Sequence, residues 1–266
     1  MSETDSPGTD PLLDFARREL TFDDETMRVY VAGTGPAVVV MTEMPGITPL
    51  VARFARWVRD AGFTVWMPSL FGLDGAEPTM ELAGQALRSV CVRREFQAFA
   101  NGESSPMARW LRQLAAHAHG VCGGPGVGAI GMCFTGNFAL TMMLEPSVLA
   151  PVMSQPSLPF DDPAGTFLTT TELAAVKARL DADDLTVMAV RFEGDPYCTA
   201  ARFDAFAEAL GDRFVPRVLS DSSAGDLGWT GVPHSVVTTS LVDEAGEPTA
   251  AIRDEILEFF ASRLHP

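Results

Sequence analysis

The chain has 266 residues, 47% of them hydrophobic, and a formal net charge of −16. That is ample material for a core, and the acidity argues against nucleic acid or an anionic membrane surface as a partner. The four cysteines, Cys91, Cys122, Cys133 and Cys198, are scattered without a C-x-x-C pair, which argues against a disulfide framework or a structural zinc site.

Residues 1–11 are acidic and polar, read as a disordered tail, and lack the features of a signal peptide. Residues 12–266 read as one domain. No apolar run is long enough to span a membrane, and the expected location is the cytoplasm. Glu19–Asp23 and Met27–Val31 can pair as a hairpin across Asp24-Glu25. Ala37–Thr42 is a Val-rich buried strand, and Glu43 leaves it in a loop. Pro49–Ala61 has helical periodicity and Gly62 as its stop. Phe63–Met67 is a second buried strand, followed by a loop over Pro68–Glu81 long enough to carry binding function. Leu82–Phe99 contains a helical segment with Arg88, Arg93 and Arg94. Ser104 or Ser105 caps a helix from Pro106 to His119. After the central stretch, strands are expected at Ala150–Ser154, Leu185–Phe192 and Phe214–Leu219, and helices at Thr171–Leu180, Thr199–Leu210 and Thr249–Arg263, with Thr249 as N-cap. Strands alternating with helices imply an α/β fold: a mostly parallel sheet covered on both faces.

The chain is organised around Gly128-Ala-Ile-Gly-Met-Cys-Phe-Thr-Gly136. Ala129–Met132 is strand-like and Phe138–Leu144 is a helix, with Cys133 on the tight turn between them. Small residues flank it because the backbone bends sharply and other chain approaches closely. A free Cys is usually an inert small hydrophobe. Here it stands on a strand-turn-helix elbow over a helix N-terminus, which favours a thiolate and stabilises an oxyanion. Thr135, two residues on, is larger than the usual residue there.

Two later residues complete a constellation. Asp195 lies in Glu193-Gly-Asp-Pro just past a strand, and His234 lies in Val232-Pro-His-Ser on the last loop before the final helix. The chain order nucleophile, acid, His is that of the α/β-hydrolases. Cys attacks a carbonyl, His moves the proton, and Asp orients the imidazole. Glu193 and Asp204 are rival acids. His117 and His119 sit late in a helix, and His265 at the frayed end of the chain.

In these pieces the chain resembles the dienelactone hydrolase family: Glu43 after an early strand, Gly131-Met-Cys133, Gly194-Asp195 and Pro233-His234-Ser235. The resemblance implies an α/β-hydrolase fold and a Cys133–Asp195–His234 triad. It also implies an oxyanion hole from the backbone N–H groups of Met44 and Phe134, and a Glu43 that contacts the resting thiol. It implies hydrolysis of a lactone or activated ester with no cofactor. Two arginines that hold a substrate carboxylate in that family are not matched. One position is Thr238, and Arg88, Arg93 and Arg94 are candidates for the other. Gly126-Val-Gly-Ala-Ile-Gly131 spells a dinucleotide fingerprint, but it precedes and forms a strand instead of opening a helix, which argues against a cofactor site. Two other functions fit the sequence less well. A silent small-molecule binding protein has no need of a triad, and a redox sensor wants a resolving Cys nearby. The oligomeric state is not legible.

Overall fold

The computed structural model describes residues 10–92 and 105–265, less the side chains of Cys91 and Val92. Most of the expected tail, and Arg93 and Arg94, lie outside the described residues. At the tail's end Asp10 accepts the Leu12 N–H at 2.9 Å, and the Pro11 carbonyl accepts from Arg56 at 2.5 Å.

Among the described residues eight strands form one sheet, ordered β1-β2-β4-β3-β5-β6-β7-β8. They are β1 (Ala16–Phe22), β2 (Glu25–Gly33), β3 (Ala37–Met41), β4 (Thr64–Pro68), β5 (Val127–Met132), β6 (Val148–Ser154), β7 (Val187–Phe192) and β8 (Phe214–Leu219). β2 runs antiparallel to both its neighbours, β1 and β4, and every other pairing is parallel. The first hairpin turns on Asp23-Asp24, one residue earlier than expected. Both have positive φ, 50° and 65°, a conformation that Asp tolerates better than Glu.

Among the described residues seven α-helices cover the sheet: α1 (Pro49–Asp60), α2 (Met80–Val92), α3 (Pro106–Cys122), α4 (Gly136–Thr141), α5 (Thr170–Ala182), α6 (Ala200–Leu210) and α7 (Pro248–Leu264). The Thr48 hydroxyl accepts the Val51 N–H at 3.2 Å to start α1, with Pro49 in its first turn. Ser105 does the same for α3 through Ala108 at 2.9 Å. Each satisfies an orphan amide of the first turn. Thr249 does not cap α7. Pro248 takes the first helical position, where its missing N–H costs nothing, and the N-cap is Glu247. The Thr249 hydroxyl instead accepts the Val242 N–H at 2.9 Å. His265 is stacked on Phe63 at 4.7 Å between ring centroids, so the chain end is less frayed there than its position suggests.

Side chains alternate across the sheet. Val38, Val40, Ile130 and Met132 pack with Val51, Phe54 and Val58 of α1 and with Ile256, Phe260 and Leu264 of α7. Val39, Met41 and Ala129 pack on the other face with α3, α4 and α6. Each fully buried aliphatic or Phe side chain contributes roughly 2 kcal/mol of transfer free energy. A Cβ on Gly128 would lie 2.9 Å from the Phe260 ring. Close packing of helix on strand therefore accounts for this glycine of the G-x-G-x-x-G run. The strands end together, so the loops leaving β3, β5, β6 and β7 gather at one edge.

Candidate active site

Cys133 follows β5 directly and opens a single 3-10 turn, Cys133–Thr135, that runs into α4. Its φ is +52°, a left-handed conformation that costs a side-chain-bearing residue about 1 kcal/mol or more. The bend leaves no room at Gly131, where a Cβ would sit 2.1 Å from the Thr135 carbonyl oxygen. Thr135, the unusual residue of the elbow, is used as a clasp. Its hydroxyl accepts the Met132 N–H at 2.9 Å and lies 3.0 Å from the Thr42 carbonyl and 3.2 Å from that of Met41. The elbow is thereby tied to the end of β3.

His234 meets Asp195 at the same edge. Nδ1 is 2.7 Å from Asp195 Oδ2, with both side chains buried. The other carboxylate oxygen, Oδ1, accepts the backbone N–H groups of Tyr197 at 2.9 Å and Cys198 at 3.1 Å. The acid is thus fixed before it meets the ring, and it favours the tautomer with the proton on Nδ1. Nε2 is buried without a well-formed hydrogen bond, and the ring shares its cleft with Cys133. Burial opposes charge on the imidazole. Cys133 and Asp195 outweigh it, and the pKa of His234 lies well above the usual histidine value. The rival acids are elsewhere: Glu193 is exposed and accepts from Ser220 at 3.4 Å, and Asp204 is exposed on α6.

Glu43 lies two residues past the end of β3. It is 4% exposed, and both oxygens are engaged by other groups. The Thr238 hydroxyl donates to Oε1, and Gln155 Nε2 donates to Oε2 at 3.1 Å. Burial pushes its carboxyl pKa up, opposed by the Thr238 hydroxyl and by the charge of His234. Thr238 is itself fully buried, and Arg53 Nη2 holds its carbonyl at 3.1 Å. It therefore faces Glu43 and is not among the residues that line the cleft. Gln155, just past β6, went unnoticed in the sequence, where a polar Ser154-Gln155 pair after an apolar strand was the available signal.

Met44 lies in a turn closed by Gly46 N–H donating to the Glu43 carbonyl at 2.8 Å. With Cys133 and His234 it lines a cleft of about 710 Å³, whose walls include Met80, Leu87, Phe160, Tyr197 and Trp229. Tyr197 packs edge-on to the His234 ring at 5.2 Å. Phe134, next to Cys133, packs against Phe71 at 5.5 Å and Phe160 at 6.2 Å. None of the described lining residues is Arg or Lys. Arg88 is exposed on α2, with Nη1 3.4 Å from where a Cβ on Gly84 would stand, so it lies back over a residue of the cleft rim.

The loop that carries Phe160 is fastened from inside. Arg202, 1% exposed, donates to the carbonyls of Pro156, Pro159, Asp162, Gly165 and Tyr197 at 2.6–3.1 Å. Asn137 adds bonds to Leu158 N–H at 3.2 Å and the Thr166 carbonyl at 3.0 Å.

Residues 27–217 match the Dienelactone hydrolase family. The chain belongs to that family. No curated protein matches it significantly. Solved structures share its fold at low identity. A Klebsiella pneumoniae protein provisionally described as a dienelactone hydrolase is 15% identical, with TM-score 0.64, covering 93% of this chain and 98% of its own. A dienelactone hydrolase-like promiscuous phosphotriesterase from metagenomic libraries is 18% identical, with TM-score 0.63, covering 94% and 98%. A soluble variant of the Saccharomyces cerevisiae monoglyceride lipase is 10% identical, with TM-score 0.59, covering 95% and 96%. The fold is that of the α/β-hydrolases, and the family is one of hydrolases. Within the dienelactone hydrolase family this member carries an internally bonded Thr238, and its Glu43 is held by Thr238 and Gln155. Among the described residues Cys122, Cys133 and Cys198 are free thiols, and no helix is long and apolar enough to cross a membrane.

Proposed function

We propose that the chain is a cofactor-independent hydrolase that opens a carboxylic ester or lactone through a Cys133–His234–Asp195 acyl-enzyme mechanism in the reducing cytoplasm. The observation that carries it is His234. One ring nitrogen is bonded to Asp195 at 2.7 Å, and the ring lines the same cleft as Cys133.

The Cys133 proton passes to Nε2 of His234, and Asp195 stabilises the imidazolium. The thiolate attacks the carbonyl carbon. A C–S bond forms, and the π electron pair moves to oxygen, which the backbone N–H groups of Met44 and Phe134 receive. Collapse breaks the C–O bond, and the leaving alkoxide takes the proton from His234. In a lactone that alkoxide stays tethered to the acyl group. A water then gives a proton to His234 and adds to the thioester. The second collapse breaks the C–S bond, and the thiolate regains its proton. Ester and water have become acid and alcohol.

The test is rapid-quench mass spectrometry of the protein with a para-nitrophenyl ester. An acyl adduct on Cys133 that forms and decays at the turnover rate is expected. Turnover that survives in Cys133→Ala would overturn the proposal.

A further inference from the structure

The cleft above Cys133 is both larger and less polar than a small anionic lactone requires. At about 30 Å³ per water-sized group, 710 Å³ has room for about 20 non-hydrogen atoms. Its rim is apolar and wet: Met80 is 65% exposed, Phe160 50% and Tyr197 42%. A ligand confined to the floor would leave these side chains in water. A longer apolar one would cover them, and that burial is favourable.

Charge points the same way. A carboxylate drawn into this cleft loses its hydration, and no described lining residue is a cation that would replace it. Thr238 offers such a group nothing, because it is fully buried and its hydroxyl is committed to Glu43. The residues beside Met80 and Phe160 in the chain, Glu81 and Asp161, are exposed acids. Arg88, over Gly84, is exposed and remains hydrated.

We infer that the substrate is an uncharged ester or lactone with an extended apolar group, bound along Met80, Leu87, Phe160 and Trp229. This rests on Cys133 being the nucleophile of a hydrolase.

The experiment compares kcat/KM for three para-nitrophenyl esters: the acetate, the octanoate and the monoester of suberic acid, which matches octanoate in length but ends in a carboxylate. With about half of the six added methylenes buried at about 0.8 kcal/mol each, octanoate is expected to exceed acetate by about 100-fold. It is expected to exceed the suberate by about 30-fold, since an unpaired charge must be desolvated. Phe160→Ala should lower the octanoate-to-acetate ratio about fivefold. Leu87→Arg should raise the suberate rate relative to octanoate about tenfold. A native enzyme that prefers the suberate, and loses that preference in Arg88→Ala, would overturn the inference and assign Arg88 as an anion grip. Equal rates for acetate and octanoate would also overturn it.

Calorimetry on Cys133→Ala with octanamide and suberic acid monoamide separates this inference from the hydrolase reading. The neutral amide should bind about tenfold more tightly. If it does while no ester is turned over, the hydrolase reading fails and the cleft assignment stands. If the esters are cleaved but the charged amide binds as well as the neutral one, the reverse holds.

Discussion

The Thr238 hydroxyl donates to Oε1 of Glu43, and both side chains are buried. With Gln155 on the other oxygen, the bond joins the loop after His234 to the ends of β3 and β6. Thr238→Val keeps the shape and removes the donor. It should cost about 1–3 kcal/mol in urea unfolding, because a buried acceptor loses its partner, while Thr238→Ser should lose less. Thr238→Arg would force a large cation into a filled interior, so it should impair folding instead of creating a carboxylate grip. A well-folded Thr238→Arg with new anion selectivity would contradict the observed role.

Cys133→Ala should reduce hydrolysis at least about ten-thousandfold, the loss expected when a triad member is removed. Cys133→Ser should recover little, since a hydroxyl gives up its proton far less readily than a thiol. The backbone adds a second outcome. With φ at +52°, Cys133→Gly should be more stable than Cys133→Ala by about 1 kcal/mol. Thermal unfolding of the two inactive proteins measures it, and equal stability would mean the elbow relaxes.

His234→Ala and Asp195→Asn should each cost about a thousandfold or more in kcat, with smaller changes in KM. Glu193→Gln and Asp204→Asn should stay near native activity, since neither acid reaches the imidazole. A dead Glu193→Gln beside an active Asp195→Asn would reassign the acid.

The raised pKa of His234 fixes a sign. The folded protein holds this proton more tightly than the unfolded chain, whose histidine titrates near about 6.5. The stabilisation is present in full below that value and is lost as pH rises through the folded pKa. NMR titration should show the His234 pKa falling in Cys133→Ala because the thiol's share is removed. An unchanged titration would show that Asp195 alone holds the proton.

Much of this arrangement was legible before any coordinates. The strands have short apolar runs, and the turns carry Gly or Pro, so β3 to β8 fell within a few residues of expectation. Cys133, Asp195 and His234 stood out because each follows or precedes a recognisable element. What stayed hidden depends on distant pairing. Glu43 and Thr238 are 195 positions apart, and no periodicity records which neighbour a buried carboxylate faces. Thr135 looked like a misfit because its partners, Met41 and Thr42, lie on another strand. The first turn of α7 was misread because Pro248 and Thr249 both suit a helix start, and the backbone preference of Pro decided it.

Arg202 grips its loop entirely through main-chain oxygens. Peptide carbonyls are common to every amino acid, so the anchor does not read the loop's side chains. Exposed positions there, Phe160 and Asp161 among them, can be exchanged while the loop's path is kept. That separation of support from identity makes residues 160–164 the natural place to retarget the enzyme by mutagenesis. It also makes Arg202 the residue to leave untouched in any library.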